Sequence, residues 1–252
     1  MLLQRLMSQS IEVTTHTILR DLLRHQPTIV DWNHYLTMAR LVARALRLSK
    51  SSLIQTGIAT HRSTGKYRLS YLIPALLWHK SVTIVIPTAF GDRLITTELP
   101  QIQQWLGTSK PVDRKANIPD SKFTGLWIID PQSWLSLHFD HPESIASNPT
   151  IIDGADDLEN WAQELLTLRI QPQDWDSLRL TQPSANWEPI VNIKIQLMAN
   201  LWQRPPNPYN CYLLDASDRS LFESLTKLCQ PNLPPSWQQF DRELSASTER
   251  LV

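Results

Sequence analysis

The stretch VTIVIPTAFGDRLITTELPQIQQWL, residues 82–106, decides the fold. Residues 82–86 form a continuous apolar and β-branched run, the pattern of a strand buried on both faces rather than one. Residues 91–106 then read as a helix. The same kind of run recurs at 52–55 (SLIQ), 126–129 (LWII) and 150–152 (TII). Helical stretches at 69–78 and 132–139 lie between them. Strands that alternate with helices predict an α/β fold, a parallel sheet covered by helices on both sides.

Outward from this centre the texture changes twice. Residues 11–48 read as two helices broken by a turn at 27–32. The second, HYLTMARLVARALRL, sets Tyr35, Met38, Leu41, Val42, Ala45 and Leu46 on one face. Arg40, Arg44 and Arg47 fall on the other, as either a solvated face or a nucleic-acid contact. Past residue 157 the chain is punctuated by proline. DLENWAQELLTLRI reads as a helix whose start is favoured by Asp156 and Asp157. Further helices are expected at 187–202, 219–229 and 235–244, and a short strand at 210–215. The organisation expected is N-terminal helices over 1–50, a sheet domain over 51–160 and a helical appendage over 161–252.

Composition narrows the class. Of 252 residues, 42% are hydrophobic and 19% charged, as in an ordinary folded chain. Two cysteines, Cys211 and Cys229, exclude a disulfide scaffold and fit a reducing compartment. The opening residues MLLQRLMSQS lack the apolar stretch of a signal peptide, and no run is long enough to span a bilayer. A cytoplasmic protein with no membrane partner is expected. Glycine occurs only 6 times, where average usage of about 7% would give roughly 18, so material for phosphate-cradling loops is scarce. The net charge of +0 hides an asymmetry: residues 1–125 hold 16 Lys+Arg against 7 Asp+Glu, and residues 126–252 hold 8 against 17. That +9 and −9 imply either nucleic-acid contact by the front half or attraction between the halves.

Four stretches in this order resemble the first RecA-like motor domain of DinG/XPD-type superfamily 2 DNA helicases. They are SLIQTG…STGKYRLSYLIPALLW at 52–78, the 82–106 stretch quoted above, GLWIIDPQSWL at 125–135 and TIIDGADDLENWA at 150–162. The resemblance covers roughly residues 32–169. It implies a RecA-like sheet, ATP and Mg²⁺ as ligands, DNA as partner and a second RecA-like domain to complete the ATP cleft. It also implies that Gly65 and Lys66 belong to the phosphate loop and that Asp153 holds the Mg²⁺ position. The tail from 161 resembles, by position in the chain, the family's helical arch insertion.

The chemistry of those motifs has decayed. A phosphate loop needs glycines that let backbone N–H groups wrap the phosphates, then a lysine and a hydroxyl. Here Thr60, His61 and Ser63 stand at upstream glycine positions, and Tyr67 follows the Gly65–Lys66 pair. Aligned on the helix at 69–77, Tyr67 takes the lysine position and Arg68 the hydroxyl position. In the family a Glu after the Mg²⁺-binding Asp activates water, but here that position is Gly154 and the His position is Asp156. A missing general base typically costs about 10²–10⁴-fold in rate. Asp130, Pro131 and Gln132 replace the family's Thr-Asn-His turn, and residues 66–153 hold no cysteine for an iron–sulfur cluster. Asp153, Asp156 and Asp157 read either as a cation site or as an acidic helix start. His138 and His141 have no third ligand nearby, and Trp105, Trp127 and Trp161 read as core.

The sequence therefore predicts a catalytically degenerate helicase-related domain that binds nucleic acid or protein. The alternative is the first half of an ATP-dependent DNA helicase whose second domain lies elsewhere. A third expectation is a subunit that keeps ATP without hydrolysing it, through Lys66 and Asp153.

Overall fold

Four short strands, all parallel, form one sheet in the order β2-β3-β1-β4, with β1 at Val82–Val85, β2 at Val112–Asp113, β3 at Leu126–Ile129 and β4 at Thr150–Ile152. Thr83 pairs with Trp127 on one side and Thr150 on the other. The computed structural model describes residues 10–24, 32–55, 65–114, 118–146, 148–206, 212 and 214–246. Chain contacts divide into two units, Met1–Leu166 and Thr167–Val252.

Side chains alternate across a strand, so each strand feeds two cores. Val82, Ile84, Ile86, Leu126 and Ile128 enter one core, which also holds Leu19, Met38, Leu72, Leu99 and Ile102. Val85, Trp127 and Ile129 enter the other, with Trp134, Leu135 and Ile145. Helices α1 (Ile11–Arg24), α2 (Trp32–Leu48) and α3 (Leu69–Leu77) cover the first face. They are joined there by the helical segment of α4 (Thr88–Arg93), a π-turn (Leu94–Glu98) and α5 (Leu99–Leu106). Helices α6 (Pro131–Asp140), α7 (Pro142–Ala146) and α8 (Leu158–Leu166) cover the second. The expected doubly covered parallel sheet is present in the first unit.

Three expectations are corrected. Residues 52–55 do not pair into the sheet: Leu53 is 89% exposed and Ile54 half-buried. With Ser52 and Gln55 at its ends, this run has two apolar residues to bury, where VTIV buries all four. In α2, Leu41 is exposed while Leu36, Ala39 and Ala43 are buried, because the stripe runs 35-36-38-39-43-46. Trp105 is 37% exposed and lies outside the core, although Trp127 is fully buried. The two N-terminal helices and the strands at 126–129 and 150–152 match the expected positions.

Lys110 contributes an unforeseen fastening. Its ammonium donates to the carbonyls of Ala75, Trp78 and Lys80 at 2.9, 2.6 and 2.8 Å, closing the end of α3 where carbonyls lack helical partners. Burial pushes its pKa down to about 8.

The second unit is helical: α9 (Pro172–Leu180), α10 (Trp187–Trp202), α11 (Ala216–Cys229) and α12 (Pro235–Ala246). Leu178, Ile190, Leu225, Cys229, Leu233 and Trp237 form its core. The expected strand at 210–215 lies partly outside the described residues; Tyr212 and Leu214 are exposed and Asp215 caps α11. Among the described residues no helix is long and apolar enough to cross a membrane.

Candidate functional site at the carboxyl ends of the strands

In open parallel sheets a ligand cleft forms where neighbouring strands send their connections to opposite faces. Here β1 continues into the segment of α4 and α5 on the first face, and β3 continues into α6 on the second. The carboxyl ends of β1, β3 and β4 are therefore where a site is expected. Beyond β1 and β3 lies a small cleft of about 110 Å³ lined by Ile86, Thr88, Gly91, Arg114, Ile128, Ile129 and Asp130. Asp130, at the Thr-Asn-His position of the resemblance, caps α6 by accepting from the Ser133 N–H at 2.9 Å.

The end of β4 carries Asp153, whose N–H donates to the Val85 carbonyl at 2.9 Å and so extends the ladder by one residue. Its carboxylate is buried and fully engaged. Tyr67 Oη donates to Oδ1 at 2.7 Å and lies 3.0 Å from Oδ2. Oδ2 also accepts from Arg68 Nε at 3.0 Å and from Tyr71 Oη at 2.9 Å. These donors come from one short segment, a 3₁₀ turn (Lys66–Arg68) that runs directly into α3. Tyr67 and Tyr71 lie four residues apart and so share a helix face, which lets both hydroxyls meet one carboxylate.

Arg68 extends the network. Its side chain is 2% exposed; Nη1 donates to Glu98 Oε1 at 3.2 Å, and Arg93 Nε meets the same oxygen at 3.2 Å. Two guanidinium and two carboxylate charges thus alternate from Arg93 through Glu98 and Arg68 to Asp153. The guanidinium also lies over the rings of Tyr67 and Phe90, at 5.4 and 5.1 Å from their centroids. Burial, then the negative charge of Asp153, pushes the pKa values of Tyr67 and Tyr71 upward, so both remain neutral donors. Burial opposes the charge on Arg68, but the hydrogen bond to the Asp153 carboxylate and its negative charge outweigh it and hold the guanidinium protonated.

The two glycines have local explanations. Gly65, at φ +81°, starts the 3₁₀ turn, and a Cβ there would stand 2.5 Å from Arg68 Nη1. It seats Arg68 in the network. Gly154, at φ +85°, turns the chain after Asp153, and a Cβ there would meet Trp161 at 3.4 Å. A glutamate at 154 would adopt a left-handed conformation that L side chains rarely take.

A magnesium ion requires near-octahedral oxygen ligands at roughly 2.0–2.1 Å. Both oxygens of Asp153 already accept from protein donors, and Arg68 brings a positive charge to 3.0 Å from one of them. This donor set does not fit the ion. Lys66 is half-buried at the start of the turn, while Tyr67 and Arg68, its successors, reach Asp153. Asp156 and Asp157 are exposed, and the described residues contain no group of three or more His, Cys, Asp or Glu arranged for a metal. Thr60, His61 and Ser63 lie outside the described residues.

Sequence reasoning singled out Gly65, Lys66 and Asp153 but missed Tyr71, Glu98 and Arg93. The available signal was the alignment on α3, which moves Tyr67 and Arg68 into the positions where the resemblance expects a lysine and a hydroxyl. Compared with known protein families, curated proteins and solved structures, the chain matches none.

Proposed function

We propose that the first unit is a RecA-like, helicase-derived domain that has left nucleotide turnover and works by binding a nucleic-acid or protein partner. One observation carries this reading: the Asp153 carboxylate is closed by Tyr67, Tyr71 and Arg68 at 2.7, 2.9 and 3.0 Å. In a working phosphate-transfer site that carboxylate would orient a metal, and the turn before α3 would hold phosphate. Here the same turn delivers a guanidinium and a phenol to the carboxylate. The neighbouring Gly154 offers no base for water.

Titration of the full chain with magnesium–ATP by calorimetry, beside an ATP hydrolysis assay with single-stranded DNA, tests the reading. No heat at millimolar nucleotide and no turnover are expected. Binding that Lys66→Ala abolishes, or DNA-stimulated hydrolysis, overturns it. Hydrolysis that appears only on mixing with a second RecA-like domain would establish the divided helicase instead.

A further inference from the structure

The +9 of residues 1–125 and the −9 of residues 126–252 are distributed in part across the two faces of the sheet. On the first face, α2 carries Arg40, Arg44 and Arg47 and no acidic residue over its length. On the second, α6, α7 and α8 carry Asp140, Glu143, Glu159 and Glu164 and neither lysine nor arginine. A polyanion approaching the first unit is thus drawn to the α1–α2 side and repelled from the other.

A groove of about 350 Å³ lies on that side, lined by Ser10, Glu12, Val13, Thr37, Arg40, Leu41, Arg44 and Arg47. Its three arginines follow i, i+4, i+7 spacing, which places them in one row separated by about 6 and 4.5 Å along the helix axis. Arg47 Nε donates to Glu12 at 2.7 Å, so one of the three charges is compensated. Glu12 is held ionised for that role: burial raises its pKa, but its own backbone N–H, Arg47 and Ser10 bring it below the usual carboxylate range. Arg40 and Arg44 are exposed and form neither an ion pair nor a hydrogen bond among the described residues. Two guanidiniums without a carboxylate partner among the described residues therefore face the groove.

We infer that this groove binds the phosphodiester backbone of nucleic acid, with Arg40 and Arg44 each engaging a phosphate. The inference rests on the binding role proposed above and names its partner and surface. Guanidinium forks match phosphate oxygens in a bidentate manner, which favours arginine over lysine at such a surface. Among the described residues no aromatic side chain lines the groove. Base stacking, the usual route to single-strand preference, is therefore not provided, and recognition follows the backbone without regard to sequence.

Fluorescence anisotropy of labelled oligothymidine and oligouridine with the full chain, over a series of salt concentrations, tests this. The wild-type protein is expected to bind both, with affinity falling linearly on a log–log salt plot. Arg40→Ala/Arg44→Ala should bind at least about tenfold more weakly, and its slope should be shallower by about 1.4, two phosphates at roughly 0.7 each on single strands. Lys80→Ala/Lys122→Ala, which removes two exposed charges outside the groove, should leave both quantities near wild type. Absence of binding at low salt, equal loss in both double variants, or displacement of the oligonucleotide by polyglutamate at matched charge overturns the assignment. Circular dichroism of each variant separates unfolding from loss of contact. Because magnesium–ATP titration reads the Asp153 site and this assay reads α1 and α2, failure of one leaves the other legible.

Discussion

Each unit buries one carboxylate against an arginine, and the two differ in where the donors come from. Asp218, in the second unit, is 0% exposed and accepts from Arg204, from Asn200 at 3.1 Å and from the Asp215 N–H at 3.1 Å. Those partners stand 14, 18 and 3 residues away in the chain. Asp215 and Asp218 form a reciprocal capping box at the start of α11, so the arrangement secures one helix end and its neighbour. Asp153 draws its donors from 86, 85 and 82 residues away, and it sits where the sheet's topology opens a ligand cleft. The same chemistry is a helix cap in one unit and a closed site in the other. What separates the two pairs is topological position, one at a helix start and the other at the carboxyl end of a strand.

The sharpest way to break the comparison is Arg68→Met. It leaves the Asp153 charge buried with only hydroxyl donors, and loss of one partner from a buried pair costs about 3–5 kcal/mol. Urea denaturation followed by circular dichroism would show the midpoint fall with little change in slope. The double variant Arg68→Met/Asp153→Asn should recover much of that loss, because it removes both charges and their desolvation cost while the amide oxygen still accepts from the Tyr67 and Tyr71 hydroxyls. If the single variant were as stable as wild type, the clamp would not be closed in solution, and Asp153 would be open to a metal.

Lys110→Met sharpens the comparison from the other end of α3. That helix presents Tyr71 to Asp153 and is fastened at its far end by the Lys110 ammonium. Two part-buried carbonyls and one exposed carbonyl lose their shared donor, and because water replaces it in part the loss is nearer the net worth of a hydrogen bond, about 0.5–1.5 kcal/mol. Hydrogen exchange should show faster opening at residues 75–78 than at the Asp153 end. Uniform loosening of α3 would mean that the clamp and the fastening act as one unit.

The fold was more legible than the site, for a physical reason. LWII declares a buried strand because both of its faces must be apolar, and such a pattern is local. TII shows the same pattern but is half-buried, because β4 stands at the end of the strand order. The run at 52–55 misled because two apolar residues flanked by serine and glutamine satisfy a pattern without supplying enough area to bury. The short strand at 112–113 left no pattern, since two residues cannot show one. At the site, Asp153 was visible as an acid after a strand, but what binds it was not. Tyr67, Tyr71, Arg68 and Glu98 are chosen by contacts across 30 to 86 residues, which hydrophobic periodicity does not encode. Only the position of α3 relative to the Gly65–Lys66 pair, read through the resemblance, drew attention to Tyr67 and Arg68 at all.

The smallest expected effect concerns the acid side of the α11 cap. Hydrogen bonds from Ser217, then from the Asp218 and Ser217 N–H groups, and the nearby Arg204 bring the Asp215 pKa down to about 2. A folded pKa below the unfolded value, about 3.9 for Asp, means that the charged form stabilises the fold. That stability is present in full above the unfolded value and is lost as pH falls through the folded one. The stability difference between wild type and Asp215→Asn should therefore hold steady from neutral pH to about 4 and shrink as pH falls towards 2. Asparagine also caps helices well, so the difference at neutral pH is small. Urea midpoints of the two proteins at matched pH measure it. A difference that stayed constant to pH 2 would show that Arg204 and the cap act on Asp215 by geometry alone, making its charge irrelevant where that of Asp153 is central.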